Sequence, residues 1–320
     1  MSAALQTAVA RQRLLLRGWL ASLLERLALQ ARDCWPDRTA LEQLLLAARP
    51  RLPSCKYLYI LDRDAQQLTA NIAPDGLLPE HFGRDRRDRP YLAEALAGER
   101  FSLSPVYLSR NARRPSLTAI QRIENTAGDW LGFLGADFDL RELPLTRELY
   151  QPSGDWVQLK GDPAIRGGLF SQERVESLMD ARMDEVLALL GELMTAHGVF
   201  HGKLHFSSSR ATLWTLDDPY RYRLLDYEDL ADPGICLAYP QRDYPTEAAI
   251  PESRVAEVFH TFRELRFMDE TIYLRSGSLN LFNGMVGLNF SCDGSHYMPW
   301  QDFLRKSLGF WLGTGESCGR

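Results

Sequence analysis

Between residues 56 and 138 the chain alternates short apolar runs with polar breaks of turn length, and this pattern narrows the fold most. Residues 56–61 (KYLYIL) read as a buried strand, rich in aromatic and branched side chains. A turn at 62–64 leads to a returning strand at 67–72, and Pro74, Asp75, Gly76 and Pro79 mark a loop. A short helix over 91–96 stops at Gly98. Three strands are predicted after it, at 104–109, 116–123 and 130–138, with turns at 111–114 and 126–129. Strand–strand–helix–strand–strand–strand describes one antiparallel sheet with helices to one side, an α+β layout.

The flanks extend this class. Leu5, Val9, Leu16, Leu20, Leu23, Leu24 and Leu27 recur at helical spacing, predicting an N-terminal amphipathic helix over 1–36 with an arginine-rich polar face. That pattern suits packing on its own domain or a partner subunit better than a membrane surface. Asp37 caps a second helix, stopped by Pro50 and Pro53. Residues 146–170, rich in Pro and Gly, read as a linker between a module at 37–145 and an α+β domain at 171–320. In that domain Ser171 is expected to cap a helix with a stripe of Val175, Leu178, Met179, Val186, Leu190, Leu193 and Met194. Strands are predicted at 203–207, 211–216, 222–226, 235–239, 271–274 and 285–291, with a helix over 252–267 and a hairpin at Asp293-Gly294.

Charge excludes some partners. Residues 1–150 carry a net +3 and the remainder a net −8, within an overall −5. Neither part is basic enough for a nucleic-acid binder. Five scattered cysteines without a CxxC pair fit a reducing compartment, and arginines break every apolar run long enough to span a bilayer. A cytoplasmic location is expected. No phosphate-loop or dinucleotide fingerprint is present, so no cofactor is expected.

Four pieces of the first half, in order, carry a family resemblance: the strand ending Leu61-Asp62; Arg89-Pro90-Tyr91-Leu92 with Ala95, Leu96 and Gly98; residues 104–109 followed by Arg114-Pro115; and residues 132–140 (GFLGADFDL). Together they resemble the PAS-like sensor modules called Cache or PDC domains. The resemblance covers about a third of the chain. It implies a pocket for a small metabolite, an amino acid, amine or carboxylate. Carried over by motif, Arg89 and Tyr91 would line it from the loop and short helix, Tyr107 and Ser109 from the following strand, and Asp137 from the last strand. Arginine offers a planar fork to a carboxylate, and an aspartate inside an apolar strand needs a partner. The amino-acid-binding branch usually shows Arg-x-Trp-Tyr and an Asp two residues after the strand Tyr. Here Pro90-Tyr91-Leu92 and Ser109 stand instead, which shifts the expectation towards an acid or a less charged ligand. The resemblance also implies homodimerisation through the leading helix, and the expected function is non-enzymatic signal sensing with an unidentified signalling partner.

Other groupings have plainer readings. Arg84 to Arg89 also reads as a solvated run neutralised by its aspartates. His197, His201 and His205 are spaced by four, but Gly198 and Gly202 interrupt any shared helix, so packing histidines are expected rather than a metal site. Cys292 and His296 flank the Asp293-Gly294 turn without an orienting group for nucleophilic chemistry. Asp217, Asp218, Asp226, Glu228, Asp229 and Asp232 lack EF-hand spacing and read as a solvated acidic face. The alternative function is an enzyme, such as a metal-dependent hydrolase, with its site in this acidic domain.

Overall fold

The computed structural model describes residues 3–109, 113–143, 173–292 and 295–312. The chain divides into two compact units, residues 9–146 and residues 147–320 together with 1–8. Each is built on one antiparallel sheet, so the protein is α+β. No helix among the described residues is long and apolar enough to cross a membrane.

In the first unit, helices α1 (Ala3–Asp33) and α2 (Arg38–Ala48) precede the sheet. The Asp37 carboxylate accepts from the backbone N–H groups of Thr39 and Ala40, and Pro50 sits in the 3-10 turn that ends α2. The strands are β1 (Cys55–Asp62), β2 (Asn71–Ala73), β3 (Gly76–Leu78), β4 (Phe101–Leu103), β5 (Tyr107–Leu108), β6 (Pro115–Glu124) and β7 (Trp130–Asp139). Their order is β3-β2-β1-β7-β6-β4, with β5 also on β6. Both faces of the central strands are covered, which is why they read as nearly continuous apolar runs. One face presents Leu58, Ile60, Leu117, Ala119, Leu134 and Ala136, all buried. On the other, Tyr59, Leu61, Ile120 and Phe133 pack against Tyr91, Leu92 and Ala95 from a 3-10 turn (Pro90–Leu92) and helix α3 (Ala93–Leu96).

The arginines of α1 have a structural task. β4 is an edge strand, and the carbonyls of Phe101 and Leu103 accept from Arg17 and Arg13 at 3.1 and 2.8 Å. Arg13 also donates to the Ser104 carbonyl at 2.8 Å. A strand edge that would otherwise offer bare carbonyls is closed by side chains from the helix.

The second unit joins two three-stranded meanders: β8 (Val199–His205), β9 (Arg210–Thr215) and β10 (Asp218–Leu225), then β11 (Leu274–Asn280), β12 (Met285–Phe290) and β13 (Ser295–Pro299). β8 and β11 pair at the centre, in the order β10-β9-β8-β11-β12-β13. Helices α4 (Met183–Ala196) and α5 (Glu252–Arg266) pack together and against this central pair. At Gly277 a side chain would meet the Phe262 ring at 2.9 Å, so glycine lets α5 settle on β11.

Several boundaries differ from the sequence reading. Ser171 and the 146–170 linker lie outside the described residues. The helical segment begins with Leu178–Ala181, capped by Ser177, and Val175 is outside it and 72% exposed. The reciprocal Ser177–Asp180 capping box stops the helix from extending further back. Residues 235–239 are not a strand. Residues 235–238 belong to a buried 3-10 turn, Pro233–Ala238, with Tyr239 as its C-cap, because Pro233 presets its first position and Asp232 caps the Gly234 N–H. Residues 271–273 precede β11, which starts at Leu274 and runs through Gly277 and Ser278. Of the predicted strand at 104–109 only Tyr107–Leu108 (β5) is strand; β4 ends before it at Leu103, and Pro105, which has no N–H to donate, falls between them. Of the predicted strand at 67–72 only 71–72 is ladder, because Gln67 and Thr69 turn their side chains to the backbone and to Asn71. The predicted turn at 111–114 falls partly, and Asp293-Gly294 wholly, outside the described residues.

One ion pair holds the second unit's helices to its sheet. Arg266, fully buried on α5, donates to both carboxylate oxygens of Asp180 at 2.9 and 2.7 Å and to the Leu274 carbonyl at 3.2 Å. Removing one partner would leave a buried charge alone. Asp180→Ala is therefore expected to destabilise this unit by about 3–5 kcal/mol in chemical denaturation, and Asp180→Leu with Arg266→Met to recover most of that loss.

Candidate functional site

The site face of the first unit follows from strand register. Tyr57 and Thr118 lie opposite Asp137 on β1 and β6, and Tyr59 and Ile120 lie opposite Gly135. Gly135 has no side chain to oppose Tyr59; a Cβ there would meet the ring at 2.2 Å. The tyrosine ring therefore lies across the glycine, and its hydroxyl reaches Asp137 Oδ1 at 3.0 Å.

Asp137 Oδ1 takes a second hydrogen bond, from Thr118 Oγ1 at 2.9 Å. Since the threonine proton goes to the carboxylate, Tyr107 donates to Thr118 Oγ1, 2.7 Å away. Asp137 Oδ2 makes no hydrogen bond among the described residues, and Asp137 keeps part of its surface open. Burial and the Asp137 charge push both phenols upward, so Tyr59 and Tyr107 remain donors.

The arginine-rich stretch divides by burial. Arg87 pairs with Asp85 at 2.7 Å on the surface. Arg86 turns inward and is only 6% exposed. Its guanidinium stacks 4.1 Å from the Tyr59 ring centroid and donates to Gln67 Oε1, the Tyr91 hydroxyl and Asn71 Oδ1 at 2.8, 3.1 and 3.1 Å. Arg89, half-buried one turn later, heads the 3-10 turn that carries Tyr91. Its side chain makes no hydrogen bond among the described residues, and its charge acts on Asp137.

Of the residues singled out in the sequence, Tyr91, Tyr107 and Asp137 share this cluster; the two rings stack with centroids 6.1 Å apart. Ser109 is placed differently: its hydroxyl accepts from the Arg114 N–H in the β5–β6 connection. Arg86, Tyr59 and Thr118 escaped the sequence reading. The glycine within an apolar strand was the available signal for Tyr59, because it marks a close approach. No local signal separates Arg86 from its charged neighbours. A groove of about 420 Å3 lined by Glu25, Arg32, Phe101, Gln121 and Arg122 runs beside α1 and includes none of these residues.

The other groupings are dispersed. His197 is buried after α4, with Nδ1 3.0 Å from the Tyr239 carbonyl. His201 stacks on Trp214, and His205 bonds Thr212. His296 packs edge-on to Phe290 and Trp311. Among the described residues no three His, Cys, Asp or Glu side chains gather as metal ligands. The acidic cluster consists largely of caps and pairs. Asp226 and Asp229 cap a short helix (Tyr227–Ala231) reciprocally, Asp232 caps the next turn, Asp217 pairs with Arg242, and Asp218 lies 4.0 Å from Arg223. Burial and the neighbouring Asp226 push Asp229 up to about 6.

No protein-family model and no curated protein matches the chain. Among solved structures it is similar to the ligand-binding domain of the Campylobacter jejuni chemoreceptor Tlp3 in complex with L-valine, with a TM-score of 0.33 and 20% identity. The match covers 42% of this chain and 55% of that one. The same domain in complex with 4-methylisoleucine gives 0.33 and 15%, over 43% and 61%. The Escherichia coli DcuS sensor domain gives 0.30 and 13%, over 43% and 93%. The chain thus spans between half and two thirds of the length of the chemoreceptor domains.

Two outcomes test this geometry. Gly135→Ala should force the Tyr59 ring off the sheet and lower stability by about 1–3 kcal/mol, as an overpacked core does. Burial raises the Asp137 pKa against the opposing influence of Arg86, the two hydroxyls and Arg89. The folded unit then holds that proton to higher pH than the unfolded chain, so its stability falls as pH rises from 3.8 through the raised value. Asp137→Asn should therefore melt above wild type at pH 7, with the two converging below 3.8, in thermal unfolding followed across pH.

Proposed function

We propose that this chain is a non-enzymatic, cytoplasmic sensor whose first unit binds a small carboxylate or amino-acid-like metabolite on the face carrying Asp137. The observation that carries the reading is the pair of unengaged groups there: the Oδ2 oxygen of Asp137 and the guanidinium of Arg89. One suits an ammonium or other donor, the other a carboxylate. Tyr91 and Tyr107 supply the aromatic wall, as small-ligand sites usually require.

A hydrogen-bonded route supports transmission towards α1. Thr118, bonded to Asp137, donates its backbone N–H to Ser104 Oγ at 2.9 Å, and the Ser104 carbonyl accepts from Arg13 of α1. Leu14, Leu15 and Leu29 of α1 are exposed, which supports self-association through that helix. Ligand binding would act by favouring one of two arrangements of this route.

Thermal unfolding of the whole chain with a panel of amino acids and organic acids tests the reading. At a hundredfold excess over its dissociation constant a specific ligand adds about 2.7 kcal/mol, an upward shift of a few degrees. Arg89→Ala should lose that shift. A wild type stabilised by none of the panel, or an Arg89→Ala variant stabilised equally, would overturn the assignment.

A further inference from the structure

Three arginines are buried among the described residues, and two of them face a carboxylate. Arg266 is paired with Asp180 at 2.7 Å, and Arg223 lies 4.0 Å from Asp218. Arg86 has no carboxylate within that distance. Its three acceptors are two amide oxygens and a phenol, all neutral. Burial alone disfavours a cation whose bonded partners are all neutral, and here Asp137 favours it through space without a hydrogen bond.

The guanidinium is also incompletely used. It has five N–H donors, and the three bonds leave one on each terminal nitrogen. A carboxylate engages such a pair with both oxygens. The guanidinium carbon lies over the Tyr59 ring, 4.1 Å from its centroid. Asp137 influences Arg86 through space, but its hydrogen-bonded oxygen is committed to Tyr59 and Thr118.

We propose that Arg86 is the anion anchor of the site, and that a small organic acid seats its carboxylate on the two unengaged N–H groups of that buried guanidinium. This rests on the sensing role proposed for the same face and deepens it. Arg89 and Asp137 then read the remainder of the ligand, a second acid or a donor group. The shared chemistry is a carboxylate on a short carbon chain.

The test uses thermal unfolding of the full chain with three four-carbon probes: butyrate, succinate and n-butylamine. Wild type should be stabilised by one or both acids and not by the amine, and the stronger acid shows whether one or two carboxylates are read. Arg86→Gln should bind the acids at least about tenfold more weakly. A purely structural arginine predicts that the acid shift is retained in Arg86→Gln, and that result overturns the proposal. Should Arg86→Gln fail to fold, Arg86→Lys decides, since it keeps the charge and loses the planar fork. Weaker acid binding in the lysine variant supports the anchor, and unchanged binding overturns it. A shift lost in Arg89→Ala but kept in Arg86→Gln would refute only this assignment. No acid shift in wild type would refute the sensing role as well.

Discussion

Tyr59 can lie flat on the first sheet only because Gly135 opposite it has no side chain, and the rest of the candidate site is built on that contact. The ring supports the Arg86 guanidinium on one face, while its hydroxyl steadies Asp137 two residues along β7 from the glycine. A single aromatic side chain thus holds a buried cation and a partly open acid on one surface without letting them pair. The separation matters chemically, since groups satisfied by one another would have little left for a ligand.

The two units bury arginine in contrasting ways. In the second, Arg266 and Asp180 neutralise one another completely inside the protein, and Asp180 also closes the capping box that starts the helical segment. That pair joins α5, the start of β11 and the segment before α4, and its groups are fully enclosed. In the first, the hydrogen-bond partners of Arg86 are all neutral, and Asp137 acts on it only through space. Burial of like groups in one chain with and without a carboxylate separates a structural use of arginine from one directed at something else.

The fold was legible wherever local chemistry sets it. Asp37 and Pro50 bound α2 as read, and the nearly continuous apolar runs mark β1, β6 and β7 almost to their ends. Failures came where a residue met competing local instructions. Pro105 shortened one strand to Tyr107–Leu108, Pro233 and Asp232 wound an apolar run into a 3-10 turn, and the Ser177–Asp180 capping box starts the helical segment after Val175. The site was legible in part. Tyr91, Tyr107 and Asp137 share a cluster, whereas Ser109 is drawn into a turn because its strand ends there. Arg86 was hidden for a physical reason: in Arg84-Asp85-Arg86-Arg87-Asp88-Arg89 every charge looks alike, and only the turn that returns Arg89 N–H to the Arg86 carbonyl decides which side chain points inward.

The charge division in the sequence gains a meaning from these contacts. Much of the negative excess of the second half goes into caps and ion pairs, facing helix N-termini and arginines. The slight positive excess of the first half is distributed otherwise. Arg13 and Arg17 are directed to the carbonyls of an edge strand, and Arg87 to a surface aspartate. Arg86 and Arg89 are left facing one acid whose own proton is hard to remove. A face so arranged is biased towards an anion before any detail of shape is considered. Because the anion would give a buried guanidinium the bonded counter-ion that the protein alone does not supply, its binding would shift the stability of this unit more than contact area alone suggests.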